Sequence, residues 1–251
     1  MSPDMQITQR FDTWRELKDF LTAVMMNGSY GVGIGDMWFR GQRRAEWLLV
    51  SSFDRLHAHL PLDQRLVVHH RMLDAFRERG QLVADISGRT EEQLLALLQH
   101  HGAPTKLLDW SNSPYVAAYF AFTGSAVADE TDGHCALIAL NTTSAVWKAR
   151  AGVSLARLPE VSDLRIFNQR GNFTLNESLH PSLDEYVEAY AKTPQAIATW
   201  VMQRWVVPWS EASVALRDLE LMGISSETMF PGLDGSSRYA YFRAVIESGV
   251  S

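Results

Sequence analysis

Signals for helices and signals for short strands alternate irregularly along this chain, and this irregularity constrains the fold more than any single motif. Thr13 with Glu16, and Thr90 with Gln93, have the spacing of capping boxes, in which two side chains bond to free backbone amides at a helix start. Apolar residues at helical spacing follow each box. Because helices and strands do not alternate as regular βαβ units, the pattern predicts an α+β fold.

The predicted elements belong to a single domain. No linker or repeat divides the chain, so we expect one compact domain over residues 1–251, with a small mixed or antiparallel sheet surrounded by helices. A helix over about residues 12–27 is expected to pack on a core spanning residues 37–240. Pro208 favours an edge or the end of a strand. The predicted strands are 37–40, 135–140, 164–167 and 205–208, and the further predicted helices are 64–79, 91–101, 115–122, 182–204 with an interruption near Pro194, 211–222 and 236–246.

The composition is that of a globular protein in water, with 46% hydrophobic and 21% charged residues. No apolar run approaches the roughly 18 residues of a membrane helix, and the first residues lack the order of a signal peptide. We therefore expect a cytoplasmic protein with no membrane partner. The net charge of −6 argues against broad, charge-driven binding of nucleic acid. A local basic patch stays open as an alternative, and its candidates are Arg40, Arg43, Arg44 and Arg55.

One arginine stands between an aromatic residue and a glycine at the end of a predicted strand, in the run Phe39-Arg40-Gly41-Gln42. A guanidinium in this position can make a forked hydrogen bond to a phosphate or pyrophosphate. A glycine beside it lets a backbone approach closely. The alternative is a structural arginine that bridges a carboxylate such as Asp109.

A second run, from residue 101 to residue 113, mixes polar and apolar residues too closely for an ordinary core segment. The ring of His101 could donate to a ligand or act as an acid or base, and the alternative is a histidine that caps the end of a helix. The carboxylate of Asp109 is expected to be half-buried and therefore paired, with Arg40 or Lys106 as its partner.

We predict no metal site. The histidines are numerous, but none stands with cysteines or carboxylates in a recognised ligand motif. Neighbours such as His69 and His70 are expected to point to diverging sides of a helix. A Ser-His-Asp hydrolase is disfavoured because its Gly-x-Ser-x-Gly turn is absent. The lone Cys135, in an apolar strand, is a poor nucleophile.

The two runs resemble the FRG-domain family, which is named for the tripeptide present here as Phe39-Arg40-Gly41. The resemblance continues through residues 101–110, which read His-Gly-Ala-Pro-Thr-Lys-Leu-Leu-Asp-Trp, and through residues 114–121. It extends to parts of residues 169–174 and 230–235. The chain is thus identified as a single FRG-type domain.

The order of parts is also similar to that of ADP-ribosyltransferases, in which an aromatic-Arg-Gly strand, a Ser/Thr segment before a helix and a strand carrying glutamate or glutamine follow one another. This resemblance implies NAD as the substrate cofactor, with Arg40 holding its pyrophosphate. Gln169 stands near the position of the catalytic glutamate, but an amide cannot supply negative charge to a cationic transition state, and Glu177 is an alternative. The candidate catalytic residues are Arg40, His101, Asp109 and Gln169, and the candidate cofactor-binding residues are Phe39, Arg40, Gly41, Gln42, Thr105, Trp110, Ser111 and Tyr119.

The resemblance implies an NAD-dependent, ADP-ribosyltransferase-like enzyme that modifies RNA, DNA or protein. Such an enzyme could act as a toxin or an anti-phage effector, with an antitoxin or other regulatory partner. Two alternatives remain open. One is a non-catalytic module that senses a nucleotide in the same pocket, and the other is a metal-independent nuclease that relies on His101.

Overall fold

A computed structural model of the chain describes residues 6–28, 31–125, 132–148, 152–157, 171–194 and 200–248. In these ranges, seven strands form one sheet and nine helices surround it. The predicted α+β class, with a single sheet in a compact fold, is confirmed.

The elements are short, and most of the strands lie in the interior of the sheet. The strands are β1 (Gln6–Arg10), β2 (Met37–Gln42), β3 (Leu107–Ser111), β4 (His134–Asn141), β5 (Val153–Ala156), β6 (Gly171–Asn176) and β7 (Met202–Pro208). The helices are α1 (Trp14–Asn27), α2 (Ser52–Leu56), α3 (Leu62–Gly80), α4 (Glu91–His100), α5 (Pro114–Ser125), α6 (Leu183–Ala191), α7 (Ala212–Leu221), α8 (Ser226–Met229) and α9 (Leu233–Ser248). No helix in the described ranges has an apolar stretch long enough to cross a bilayer.

The strand order is β1-β7-β4-β2-β3-β6-β5, and every neighbouring pair is antiparallel except β1 with β7. β2 pairs with β4 along its whole length, from Met37 opposite Asn141 to Gln42 opposite Ala136. In contrast, the described register between β2 and β3 is the single pair of Phe39 with Ser111. The sheet therefore opens between these two central strands.

Helices cover both faces of the sheet. Because side chains alternate along a strand, Phe39 of β2 faces the helices α1, α5 and α7, whereas Trp38 faces α6. The central strand β4 is apolar on both faces, which explains the uninterrupted apolar run that predicted it. A third apolar cluster, with Leu95 and Leu107 among its members, packs α3 and α4 against β3 and β6.

Most predicted helix starts are confirmed by side-chain caps. Thr90 and Gln93 form the full capping box of α4, with bonds of 2.9 and 3.3 Å between backbone amide and side-chain oxygen. Thr13 accepts the amide of Glu16 at the start of α1, but the Glu16 carboxylate accepts from Asp12 instead of closing the box. Local capping chemistry therefore predicts these two helix starts, whereas the helix expected to be capped by Ser210 begins at Ala212 without a side-chain cap.

One predicted helix, over residues 182–204, is wrong at its end. α6 ends at Ala191, and Met202 already belongs to β7, which lies between β1 and β4. Hydrogen bonding on both sides of this strand outweighs local helix propensity. Pro208 stands at the end of β7, in an interior position of the sheet. The strands β1, β3, β5 and β6 were not predicted, and the predicted strand at 164–167 lies outside the described residues.

α5 lies directly on β2, and Gly41 makes this contact possible. A Cβ atom placed on Gly41 would stand 1.9 Å from the carbonyl oxygen of Ala117 and 2.6 Å from the amide nitrogen of Ala121. Both obstacles are backbone atoms of α5, so a side chain at position 41 would push the helix away from the strand. The glycine is therefore required for helix packing, and the backbone that approaches it closely is that of α5.

We predict that Gly41→Ala lowers the free energy of unfolding by about 3 kcal/mol, because the new methyl group overpacks the contact with α5. Urea denaturation followed by circular dichroism would measure this loss. Gly35→Ala is the matched control, since a Cβ at Gly35 meets no atom within 4 Å in the described structure. Equal effects of the two substitutions would contradict the packing role.

Candidate functional site

A cavity of about 750 Å³ lies where the pairing of β2 with β3 stops. Its walls come from both strands, from α4 and α5, from the start of β6 and from the segment between β2 and α2. Cavities of roughly 300–1,000 Å³ are the size that binds small molecules and cofactors. The gap in the sheet is therefore the candidate site.

Arg40 spans this gap. Its Nη1 donates a hydrogen bond of 2.8 Å to the backbone carbonyl of Asp109, and the same nitrogen lies 3.8 Å from Asp109 Oδ2. A side chain thus occupies the place where a backbone bond between β2 and β3 would otherwise form. The Nε of Arg40 is buried and makes no hydrogen bond within the described part of the chain. Arg40 therefore has the bridging contact expected of a structural arginine and also a donor that is left unused.

The electrostatic surroundings of Arg40 favour an anion. Burial lowers the pKa of Arg40; the Asp109 carboxylate acts in the opposite direction, and the positive charge of Arg55 lowers it further. Arg43 also lines the cavity, with its guanidinium carbon 5.7 Å from the centroid of the Trp209 ring. The described lining therefore contains three arginines against one carboxylate. A bound anion would offset the energetic cost of burying the Arg40 charge and the repulsion between Arg40 and Arg55.

Asp109 is held by a chain of polar side chains that starts in the core. Gln99, on the last turn of α4, donates from Nε2 to Asp109 Oδ1 at 2.6 Å. The Oε1 of Gln99 accepts a hydrogen bond from the hydroxyl of Thr105, which is fully buried. Each bond fixes the orientation of the next group. Thr105 thus orients Asp109 through Gln99.

The outer wall of the cavity is fastened by a largely buried ion pair. Arg204 Nη2 lies 3.0 Å from Asp184 Oδ1, and Arg204 Nη1 donates to Gln42 Oε1 at 3.2 Å and to the carbonyl of Ala45 at 2.9 Å. The other carboxylate oxygen of Asp184 accepts the amide of Leu49 at 2.6 Å. This network ties the segment between β2 and α2 to β7 and α6.

Seven of the residues proposed from the sequence line the cavity, and three do not. His101 is exposed at the end of α4, and its neighbour His100 lines the cavity instead. Tyr119 faces α8, where its hydroxyl is 2.7 Å from Ser226 Oγ, and Phe120 takes the lining position. The third is the buried Thr105. The seven lining residues are Phe39, Arg40, Gly41, Gln42, Asp109, Trp110 and Ser111; Gln169 lies outside the described residues.

Lys106 and Glu177, which the sequence offered as alternatives, have other contacts. Lys106 Nζ is 2.7 Å from Asp54 Oδ1, and both side chains are almost fully buried, so Lys106 is not the partner of Asp109. Glu177 follows β6, six residues after the lining residue Gly171. At about 3.4 Å per residue, the two ends of that strand are about 20 Å apart. Asp109 is therefore the one carboxylate of the described cavity lining.

The cavity is also lined by Gln99, His100, Trp47 and Phe120, which the sequence did not predict. Ala96, Gln99 and His100 share one face of α4, at positions i, i+3 and i+4. This helical spacing, directly before the polar run at residues 101–113, could have predicted that these residues face the same site. Nothing in the local sequence places Trp47, because the ion pair that fixes its segment joins residues distant in the chain.

We predict that Thr105→Val lowers the free energy of unfolding by about 1–2 kcal/mol, because Gln99 loses a buried hydrogen-bond partner. In a Gln99→Leu background the same substitution should cost much less, since both polar partners are then replaced. Urea denaturation of the two single variants and the double variant measures the coupling. Strictly additive losses would show that the two side chains act independently.

Comparison with known proteins gives one match. Residues 35–130 match the family model described as the FRG domain. This span contains β2, β3 and all of the helices α2 to α5, and so most of the cavity lining. No curated protein and no solved structure matches the chain. By this match, residues 35–130 are similar to the FRG domain, and the tripeptide Phe39-Arg40-Gly41 lies at the opening of the sheet.

Proposed function

We propose that this protein is an NAD-consuming enzyme similar to ADP-ribosyltransferases, which transfers ADP-ribose to a macromolecule. The observation that carries the proposal is the cavity in which Arg40 meets Asp109 across the opened sheet. The resemblance of the sequence to those enzymes assigns a pyrophosphate to Arg40. The geometry around this residue supports that assignment.

Charge is the first supporting argument. The pyrophosphate of NAD carries two negative charges, and the described lining supplies Arg40, Arg43 and Arg55 against Asp109 alone. The protein as a whole has a net charge of −6, so this positive site stands out from its surroundings. Guanidinium groups make forked, charge-assisted bonds to phosphate oxygens. Arg40 lines the cavity, and its Nε makes no hydrogen bond in the described part of the chain.

Aromatic rings supply the second argument. Trp110 and Phe173 line the cavity on the side of β3 and β6, Phe120 lines it from α5, and Trp47 lies at the outer wall. NAD has two flat ring systems, adenine and nicotinamide, and aromatic side chains bind such faces by stacking. A positive centre flanked by aromatic rings therefore matches a dinucleotide.

The reaction requires a negative charge beside the ribose. The bond between ribose C1′ and the nicotinamide nitrogen breaks, and nicotinamide leaves with the electron pair as a neutral molecule. The remaining ribose is an oxocarbenium-like cation, which a carboxylate stabilises. We assign that role to Asp109, held in place by Gln99 and Arg40. A nucleophile of the acceptor then bonds to C1′ and releases its proton to solvent.

The acceptor in this proposal is RNA, DNA or protein. An enzyme that consumes NAD and modifies a macromolecule would be harmful inside its host, which suits a toxin or an anti-phage effector under the control of an antitoxin. The acceptor must reach C1′ of the bound NAD. The opening of the cavity beside Trp47, whose side chain is half-exposed, is the route that we propose.

The first test is NAD turnover by purified protein with adenylate-labelled NAD and cell extract. Arg40→Met should lower turnover about 100-fold, because the pyrophosphate loses a charge-assisted hydrogen bond. Arg40→Lys should give an intermediate loss, because lysine keeps the charge and loses the fork. Arg71→Met, which removes an exposed arginine from α3, is the control and should keep full turnover.

Label found on RNA, DNA or protein identifies the acceptor class. Binding of NAD without release of nicotinamide would overturn the transferase proposal and would favour the alternative of a nucleotide-sensing module. RNA cleavage in the presence of chelator and without NAD would leave the nuclease. The exposed position of His101, outside the cavity, does not support the nuclease.

Asp109→Asn gives a separate prediction. The amide keeps the shape of the side chain and a carbonyl oxygen for Gln99 but loses the charge, so kcat should fall about 100-fold while the Kd for NAD changes little. Single-turnover release of nicotinamide and equilibrium binding measure the two quantities. Undiminished turnover by this variant would mean that another carboxylate acts on the ribose.

A further inference from the structure

A second polar cluster lies away from the cavity, at the far end of β6. His69 of α3, Glu91 at the start of α4 and Glu177 directly after β6 bring one imidazole nitrogen and two carboxylate oxygens within 4.8 Å of one another. His70 Nε2 is 3.4 Å from Glu177 Oε1. The two adjacent histidines thus approach the same carboxylate, with ring centroids 5.4 Å apart, whereas the sequence predicted that they diverge.

His69 is the unusual member of this cluster. It is fully buried, and neither ring nitrogen has a hydrogen-bond partner in the described part of the chain. Its Nε2 stands 3.6 Å from Glu177 Oε1, so the ring is directed at the carboxylates. Buried polar groups in native proteins are nearly always satisfied. A buried imidazole without a hydrogen-bond partner, directed at two carboxylates, therefore indicates a binding site for a cation.

We infer that His69, Glu91 and Glu177 form a binding site for a divalent transition-metal ion, with Zn²⁺ as the representative ion and His70 as a fourth ligand. Imidazole nitrogen and carboxylate oxygen are both ligands of zinc, at about 2.0–2.2 Å. In a tetrahedral site, two ligands at this distance from one ion are separated by about 3.3–3.6 Å. The 3.6 Å between His69 Nε2 and Glu177 Oε1 already fits this range, and the wider separations, up to 4.8 Å, require rotation of the glutamate side chains.

The charges around the cluster agree with a cation. Burial raises the pKa of Glu177, and the neighbouring Glu91 carboxylate raises it further, whereas His70 and Lys106 lower it. The ammonium of Lys106 is already paired with Asp54, and Arg77 Nη2 reaches one oxygen of Glu91 at 3.5 Å. The two carboxylates therefore repel each other, and an ion between them would relieve this repulsion.

The protonation state of His69 also suits a ligand. Burial lowers its pKa to about 4, with the positive charge of Lys106 and the nearby His70 acting in the same direction, while Asp54 raises it. A neutral imidazole has a lone pair that it can donate to a metal ion. Metal binding satisfies the nitrogen that faces Glu177.

The ligands come from three elements, which gives the site a structural role. An ion there ties α3 and the first turn of α4 to the end of β6, the strand whose other end lines the cavity. Because an ion that binds only the folded state stabilises it, Zn²⁺ should raise the melting temperature. This inference does not depend on NAD chemistry, since the cluster and the cavity share no residue.

The test is titration of the chelator-treated, full-length protein with ZnCl₂, by calorimetry and by thermal melting. The wild type should bind about one equivalent of Zn²⁺ and melt at a higher temperature with it. Glu177→Gln and Glu91→Gln, whose positions are partly exposed and tolerate an amide, should bind at least tenfold more weakly and lose the thermal shift.

Two controls remove comparable groups outside the cluster. Glu92→Gln removes an acid from the next position of α4, and His59→Gln removes an exposed histidine; both should bind Zn²⁺ as the wild type does. The inference is overturned if the wild type takes up no stoichiometric Zn²⁺. It is equally overturned if Glu177→Gln matches the wild type, because the ion would then occupy surface histidines.

Discussion

The restricted pairing of β2 with β3 is the constraint on which the rest of the structure depends. Both strands are fully paired on their outer sides, with β4 and with β6, so neither can move to close the gap between them. Past Phe39 and Ser111, the contact between them that we describe is the hydrogen bond from Arg40 to Asp109. A cavity in the middle of a sheet results, lined by residues of both strands and by the side chain of Arg40.

The three residues of the tripeptide Phe39-Arg40-Gly41 have three separate physical roles. Phe39 packs in the core against Trp205, with ring centroids 6.1 Å apart. Arg40 spans the opening of the sheet. Gly41 admits the backbone of α5 to the strand. Because side chains alternate along β2, consecutive residues can serve the core, the cavity and the helix contact within one short segment.

Buried polar contacts hold the walls of the cavity. Thr105 and Gln99 orient Asp109 from the side of α4, while Arg204 and Asp184 fasten the opposite wall. A buried ion pair adds little net stability relative to apolar residues, but its loss is costly because one charge then stays unpaired. Such pairs therefore fix positions more than they raise stability. This is what a site needs when its walls come from distant parts of the chain.

The two ends of β6 lie at different polar sites. Its first residues face the cavity, and the residue that follows it, Glu177, lies with His69 and Glu91 about 20 Å away by the rise of a strand. The strand thus connects a site that we propose for NAD with a cluster that we propose for a metal ion. A displacement of either end of β6 would also displace the apolar side chains of α3 and α4 that pack on this strand.

The sequence by itself determined the fold class, most of the helices, the apolar central strand β4 and the choice of Arg40 and Asp109 as candidates, both of which line the cavity. These features depend on periodicity, capping and turn chemistry, which act between residues close in the chain. Tertiary structure alone decided that residues 107–111 form a strand, that Thr105 supports Asp109 through Gln99, and that His100 rather than His101 faces the cavity. It also brought His69 to Glu177, because pairing between distant strands and burial of charge depend on neighbours that the local sequence does not specify.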